Sequence, residues 1–259
     1  MRILILGGTR EARTLATLLS GDARFDVLLS LAGRTANPAA LPVPVRSGGF
    51  GGADGLARFL KDGGFAALID ATHPFAANIS ANAVAAAQET GLPLGSLQRE
   101  PWREIEGDRW TTVADVHAAA DALGTEPRRV FLTVGRQELG AFATVPQHSY
   151  IARTIDPPQG VALPPDFTLV QARPPFDVSA ETAFLSEQRI AVLVSKNSGG
   201  DETYAKIAAA RALELSVVMV ARPHKPAGVR LARPVDAIAW LGEIDPHAPP
   251  SPTISRRGV

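Results

Sequence analysis

An α/β fold is expected for this chain, built as two open, doubly wound and mainly parallel sheets with a cleft between them. Three observations carry that expectation. Short apolar runs such as Ile3–Leu6, Ala66–Asp70, Ile190–Val194 and Ser216–Val220 alternate with helix-forming stretches along the whole length. The first of these runs passes through Gly7-Gly8 directly into helix-forming sequence, the strand–turn–helix order of a nucleotide-binding unit. The length of 259 residues suits two domains of roughly 100–150 residues each.

Composition bounds the function before any motif does. Hydrophobic residues at 46% and charged residues at 20% describe a folded globular chain. Lys+Arg and Asp+Glu stand equal at 26 each, so no overall field draws the protein to nucleic acid or an anionic membrane, and any anion must be met by local charges. The absence of cysteine rules out disulfides, thiolate chemistry and Cys-ligated zinc. His73, His117, His148, His224 and His247 form no ligand pair at helical spacing, so no dedicated metal site is expected. The apolar run Ile3–Leu6 is too short for a signal-peptide core, and a cytoplasmic location is the expectation.

Taken in order, the apolar run Ile3–Leu6 is a strand, and Thr9–Ser20 is a helix with Ala12, Leu15, Ala16, Leu18 and Leu19 on its apolar face. The turn between them matches G-x-G-x-x-G only in its first glycine, with Gly7, Thr9 and Ala12 at the three positions; by itself it fits a βα turn that binds nothing equally well. Phe25–Leu31 is the second strand. Where a dinucleotide fold places an acid for the ribose 2′-OH, this chain has Ser30, Gly33 and Arg34 and no acid, which favours a 2′-phosphate and hence NADPH over NADH. The glycine-dense Ser47–Gly52 is read as a connection before the helix Ala53–Lys61. Ala66–Asp70 is a buried-type strand running into Ala71-Thr72-His73-Pro74-Phe75-Ala76-Ala77-Asn78. Asp70, Thr72 and His73 fall at its carboxyl end, beside the crevice of a doubly wound sheet, and Pro74 helps start the helix Ala76–Thr90.

Leu92–Leu97 is a short strand, after which Arg99, Trp102, Arg103, Asp108, Arg109 and Trp110 crowd into a stretch that follows neither period, read as a crossover between domains. Beyond it Val113–Leu123 is read as a helix, Arg129–Val134 and Ser149–Arg153 as strands, Phe167–Gln171 as a short extended piece, Ser179–Gln188 as a helix, Ile190–Val194 as a strand, Thr203–Leu213 as a helix, Ser216–Val220 as a strand, and Asp236–Leu241 as a last helical turn. The expected division is 1–98 for a nucleotide domain, 99–112 for the crossover, 113–242 for a second domain and 243–259 for a Pro-rich tail. Arg136, Arg153 and Lys196 each stand at the carboxyl end of a predicted strand, and together they make a basic rim suited to a ligand with several carboxylates.

The ordered motifs Ile3–Ala12, Asp70–Ala76, Val134-Gly135-Arg136-Gln137 and Ser195-Lys196-Asn197-Ser198-Gly199-Gly200 resemble the cobalamin-pathway precorrin-6A reductases (CobK/CbiJ type), and the resemblance runs over nearly the whole chain up to Leu241. It implies two Rossmann-like domains with the active site between them and an NADPH-dependent reduction of one carbon–carbon double bond of the tetrapyrrole precorrin-6A to precorrin-6B. The acetate and propionate side chains of precorrins would account for the basic rim. The expected cofactor residues are Gly7, Gly8, Thr9, Arg10, Glu11, Ser30, Gly33, Arg34, Asp70, Thr72, His73, Pro74, Phe75 and Asn78. The expected substrate residues are Gly135, Arg136, Gln137, Arg153, Lys196, Asn197, Ser198 and Gly199. His73, Asp70, Lys196 or solvent supplies the proton, and the sequence does not choose among them. A short-chain dehydrogenase is set aside because its Tyr-x-x-x-Lys pair is missing: Tyr150 is followed by Thr154, and Tyr204 by Ala208. The alternative from another class is a non-catalytic NADPH-binding sensor or scaffold.

Overall fold

The computed structural model describes residues 1–33 and 40–244. The chain runs β1 (Arg2–Leu6), α1 (Arg10–Ser20), β2 (Asp26–Leu31), β3 (Val45–Ser47), α2 (Gly52–Asp62), β4 (Ala67–Asp70), α3 (Ala77–Thr90) and β5 (Leu94–Leu97). It then crosses to β6 (Trp110–Val113), α4 (Val116–Asp121), β7 (Arg129–Thr133), a 3₁₀ turn (Leu139–Thr144), β8 (Ser149–Thr154), β9 (Phe167–Gln171), α5 (Val178–Glu187), β10 (Val192–Lys196), α6 (Ala205–Ala212) and β11 (Ser216–Val220), and returns through β12 (Val229–Leu231) to α7 (Pro234–Ile244). Two six-stranded sheets result, ordered β12-β5-β4-β1-β2-β3 and β6-β11-β10-β7-β8-β9, and every strand pair in both is parallel.

Each sheet is covered on both faces, which is why its central strands read as unbroken apolar runs. In the first, Ile3, Ile5, Val27 and Leu29 pack on Ala12, Leu15 and Leu19 of α1 and on Trp240 and Leu241 of α7. Leu4, Leu6 and Leu68 alternate to the other face, against Leu56 and Leu60 of α2 and Ala83 and Ala86 of α3. In the second sheet, Val130, Leu132 and Val194 meet α4 and the 3₁₀ turn through Ala119, Leu139 and Phe142. Its other face sets Phe131, Leu193 and Met219 against Leu185 of α5 and Ile207 and Ala210 of α6. Each such fully buried Leu, Ile or Phe contributes roughly 1.5–3 kcal/mol of transfer free energy.

Both sheets share one strand order, 3-2-1-4-5 plus an outer strand, with β1 and β7 as the respective first strands. The outer strand of the first sheet comes from the end of the chain, and that of the second precedes its own first strand. This corrects the expected boundaries. β12 pairs with β5 in register Val229↔Gly95 and α7 packs on the first core, so the second domain does not extend to 242. Trp110–Val113 is a strand paired with β11, not the end of a crossover, and the expected helix from Val113 begins only at Val116, where Asp115 caps it by accepting from the Ala118 N–H at 2.9 Å. Among the described residues no helix is long and apolar enough to cross a membrane.

Candidate active site

The carboxyl ends of the two sheets face one another, as residues brought together from both lobes show. On the first lobe, β1 ends at Gly7, whose N–H donates to Ser30 O at 2.8 Å across the sheet. Gly8 follows with φ +120, a conformation that favours glycine, and a side chain added there would meet nothing within 4 Å. Thr9 caps α1: its Oγ1 accepts from the Ala12 N–H at 3.2 Å and donates to Ala71 O at 2.8 Å, fixing the turn to the end of β4. No chain partner takes the N–H groups of Arg10 or Glu11 among the described residues, so the start of an 11-residue helix points two donors and its positive end outward. That geometry fits a dinucleotide phosphate. Ser30 is buried at the end of β2, and Gly33 takes φ +71 just beyond. Arg34, expected to meet a 2′-phosphate, lies outside the described residues.

After β4, the buried Asp70 accepts from Thr72 N at 3.0 Å, Thr72 Oγ1 at 2.6 Å and Ser80 Oγ at 2.5 Å, and pairs with Lys225 Nζ at 3.3 Å. The Lys225 side chain is 4% exposed and also donates to Thr72 Oγ1. Asp70 is thus the anchor of a buried ion pair that ties the return crossover to the first lobe, rather than a group open to the cleft. His73 accepts from the Phe75 N–H at Nδ1, which assigns the ring proton to Nε2. Burial, reinforced by Arg99, Lys196, Lys225 and Arg222, holds its pKa down at about 3, so the imidazole is neutral at physiological pH and offers a neutral N–H rather than an acidic imidazolium. Pro74 is buried beside it. Phe75 packs against the core of the second lobe, and Asn78 is exposed on the first turn of α3.

On the second lobe, Lys196 at the end of β10 holds Glu138 through both carboxylate oxygens, at 2.7 and 2.8 Å, and lies 4.5 Å from the ring centre of Phe75 on the opposite lobe. Glu138 also accepts from the Gly135 N–H at 2.8 Å, so a carboxylate of the chain itself sits where the β7 loop and Lys196 converge. Arg136 is half-buried, 3.8 Å from Asp156, and Gln137 is exposed. Phe75, Val116, His117, Gln137, Glu138, Ala141, Val220 and Pro223 border a cavity of about 570 Å³ between the lobes. A second space of about 400 Å³ lies between Arg10, Glu11 and Arg99 on one side and Gly199–Thr203 on the other.

Arg99 and Gly199, on the border of the second space, belong to a clamp in which two arginines outside the expected site, Arg99 and Arg222, engage residues within it. Arg99 pairs with Glu11 at 2.8 Å and donates to Ser198 O, while Arg222 donates to the carbonyls of Asn197, Arg99 and Ser198. The Asn197 side chain exchanges hydrogen bonds with the Trp102 backbone at 2.8 and 2.9 Å. Gly199, at φ +67, leaves no room for a Cβ against Glu100 O and Arg222. Asn197, Ser198 and Gly199 therefore join the loop to the crossover through groups that the expectation assigned to substrate. Arg153 is corrected more fully. Its Nη1 donates to both oxygens of Glu181 at 2.7 and 2.8 Å, its guanidinium lies among Phe131, Phe176 and Phe184, and its side chain is 9% exposed. It belongs to the interior of the second lobe and not to a rim. Arg99, Arg222 and Lys225 escaped the sequence reading. The last two stand in Ala221-Arg222-Pro223-His224-Lys225-Pro226, a basic, proline-bounded run directly after a strand, and that signal could have marked them.

The description precorrin-6x reductase CbiJ/CobK matches this chain over residues 2–242. A precorrin-6A reductase of a Sinorhizobium species is 55% identical over 228 residues, 88% of this chain and 87% of that protein. The precorrin-6A reductase of Rhodobacter capsulatus is 47% identical over 242 residues, covering 93% of this chain and 96% of its own. A solved structure of CobK precorrin-6A reductase superposes with a TM-score of 0.89 at 47% identity, over 94% of this chain and 97% of that one. With family, relatives and architecture in agreement over both lobes, this chain belongs to the precorrin-6x reductase CbiJ/CobK family.

Proposed function

We propose that the protein is an NADPH-dependent oxidoreductase of cobalamin biosynthesis that reduces one carbon–carbon double bond of precorrin-6A to give precorrin-6B. The observation that carries this reading is the facing of two unlike strand-end loops: a glycine turn with free helix N–H groups on one lobe, and the Lys196–Glu138 pair over Phe75 on the other. NADPH, when bound, supplies a hydride, and a proton completes the reduction.

The chain's own part is to bind, orient and exclude water. Gly7, Gly8 and the N–H groups of Arg10 and Glu11 would hold the dinucleotide phosphates. Phe75, Val116, Ala141 and Val220 give the 570 Å³ cavity an apolar floor for a macrocycle face. Lys196 would take a substrate carboxylate in exchange for Glu138, and Arg136 would offer a second contact at the same edge. A neutral His73 is unsuited to proton donation and Asp70 is sealed, which leaves Lys196 or solvent as the proton source. The test is to mix protein, NADPH and precorrin-6A and follow absorbance and product mass. One NADPH should be oxidised for each macrocycle that gains two hydrogens; tight NADPH binding without turnover would leave a sensor in place of an enzyme.

A further inference from the structure

We infer that Arg46, held by Ser30, reads the adenosine 2′-phosphate of the dinucleotide. The inference rests on the NADPH reading above and adds to it a residue outside the expected site. Gly7, Ser30 and Arg46 form one row across the carboxyl edge of the first sheet: Gly7 N donates to Ser30 O, and Ser30 stands in register with Arg46 on β3. In folds of this strand order the ribose of the adenosine lies at the end of the second strand, where an acid selects a free 2′-OH and an arginine accommodates a phosphate. Ser30 occupies that position, and its Oγ accepts from Arg46 Nη1 at 2.8 Å.

The guanidinium is held in one orientation before any ligand arrives. Nη1 also donates to Gly48 O at 3.1 Å, Nη2 donates to Gly49 O at 3.0 Å, and the group lies 4.0 Å from the ring centre of Phe50 and 5.0 Å from that of Phe59. Of the five N–H donors of an arginine these bonds use three, leaving the Nε–H and one Nη2–H, and neither nitrogen is among the buried atoms lacking a partner. Two donors left on a fixed planar group suit a phosphate oxygen pair. Charge points the same way. Arg99, Lys196 and Lys225 each hold a carboxylate, whereas among the described residues no carboxylate pairs with Arg46. Partial burial also lowers its pKa, so an incoming anion would supply the counter-charge that the chain withholds. The glycine-dense Ser47–Gly52, read from sequence as a plain connection, then gains a purpose, because its carbonyls orient the reader.

The test is calorimetric binding of NADPH, NADH, adenosine 2′,5′-bisphosphate and ADP to the wild type, Arg46→Gln, Arg46→Lys and Ser30→Ala, with thermal denaturation as a folding control. Arg46→Gln should weaken NADPH and the bisphosphate about tenfold or more while NADH and ADP stay within about twofold. Arg46→Lys, which keeps the charge but not the fork, should fall between. If NADPH and NADH weaken together in folded Arg46→Gln, or neither changes, Arg46 only braces the loop and the inference fails, while a wild-type preference for NADPH would leave the functional reading standing. A wild type that binds NADH as tightly as NADPH would overturn both.

Discussion

The two lobes share a strand order and differ at one turn. β1 ends in Gly7-Gly8 and opens into the 11-residue α1, whose first donors stay free; β7 ends before Gly135-Arg136-Gln137-Glu138 and leads only into the six-residue 3₁₀ turn Leu139–Thr144, and there the Gly135 N–H of the loop is taken by the Glu138 carboxylate. A parallel sheet brings its loops to one edge whatever they contain, and loop chemistry then decides the ligand. The first lobe offers backbone donors and a helix end, suited to phosphates. The second offers side-chain cations already held by an internal carboxylate, suited to exchange with substrate carboxylates.

The contrast is broken most violently where the lobes are welded or the second lobe is braced. Lys225→Met leaves Asp70 buried without its cation and should destabilise by about 3–5 kcal/mol in urea unfolding. Arg153→Ala removes the bidentate partner of Glu181, which keeps the buried Lys206 as a second cation, and should cost less than Lys225→Met. Once folded fractions are matched, Arg153→Ala should leave the Michaelis constant for precorrin-6A near wild type; a large increase would return Arg153 to the rim.

Gly8→Val asks an L side chain to adopt φ +120 and fills the space over the start of α1. About a hundredfold loss of NADPH affinity is expected, equal to about 2.7 kcal/mol. Titration by quenching of tryptophan fluorescence would measure it.

The pH dependence sharpens the contrast through His73, which sits on the first lobe where cations of the second lobe and of both crossovers converge. Its folded pKa is depressed to about 3, so below about 6.5 the unfolded chain takes up a proton that the folded chain refuses, and stability falls as pH drops from about 6.5 toward 3. Between pH 7 and 5 this group should account for about 1–2 kcal/mol of the loss. His73→Asn should flatten that part of the profile in urea melts; an unchanged slope would mean that the imidazole already titrates normally. The smallest effect belongs to Lys196→Ala, with a roughly tenfold rise in the Michaelis constant for precorrin-6A, about 1.4 kcal/mol.

Much of this architecture was legible because central strands of a covered parallel sheet are continuous apolar runs. Ser216–Val220 matches its predicted range, and the glycine turn and Thr9 lie where local spacing put them. What escaped depends on partners far along the chain. Val229–Leu231 is three residues long with nothing local to mark it, and it is a strand only because β5 offers an edge 134 residues earlier in register. Trp110–Val113 has two threonines at its centre and borrows its order from β11. Arg153 stands at the carboxyl end of a strand just as Lys196 does; what separates a buried brace from a cleft cation is Glu181 on a helix 28 residues later, together with three phenylalanines. Asp70 likewise reads as an active-site acid until Lys225, 155 positions away, is placed against it.

The division of labour between the lobes is tested most directly by a crossed measurement: NADPH dissociation constants and precorrin-6A Michaelis constants for Gly8→Val and Lys196→Ala, measured side by side with the wild type. The expected result is a double dissociation, with Gly8→Val weakening NADPH about a hundredfold and Lys196→Ala raising the precorrin constant about tenfold while its NADPH affinity stays within about twofold of wild type. Loss of NADPH binding in Lys196→Ala with precorrin unaffected would contradict the assignment and exchange the roles of the two lobes.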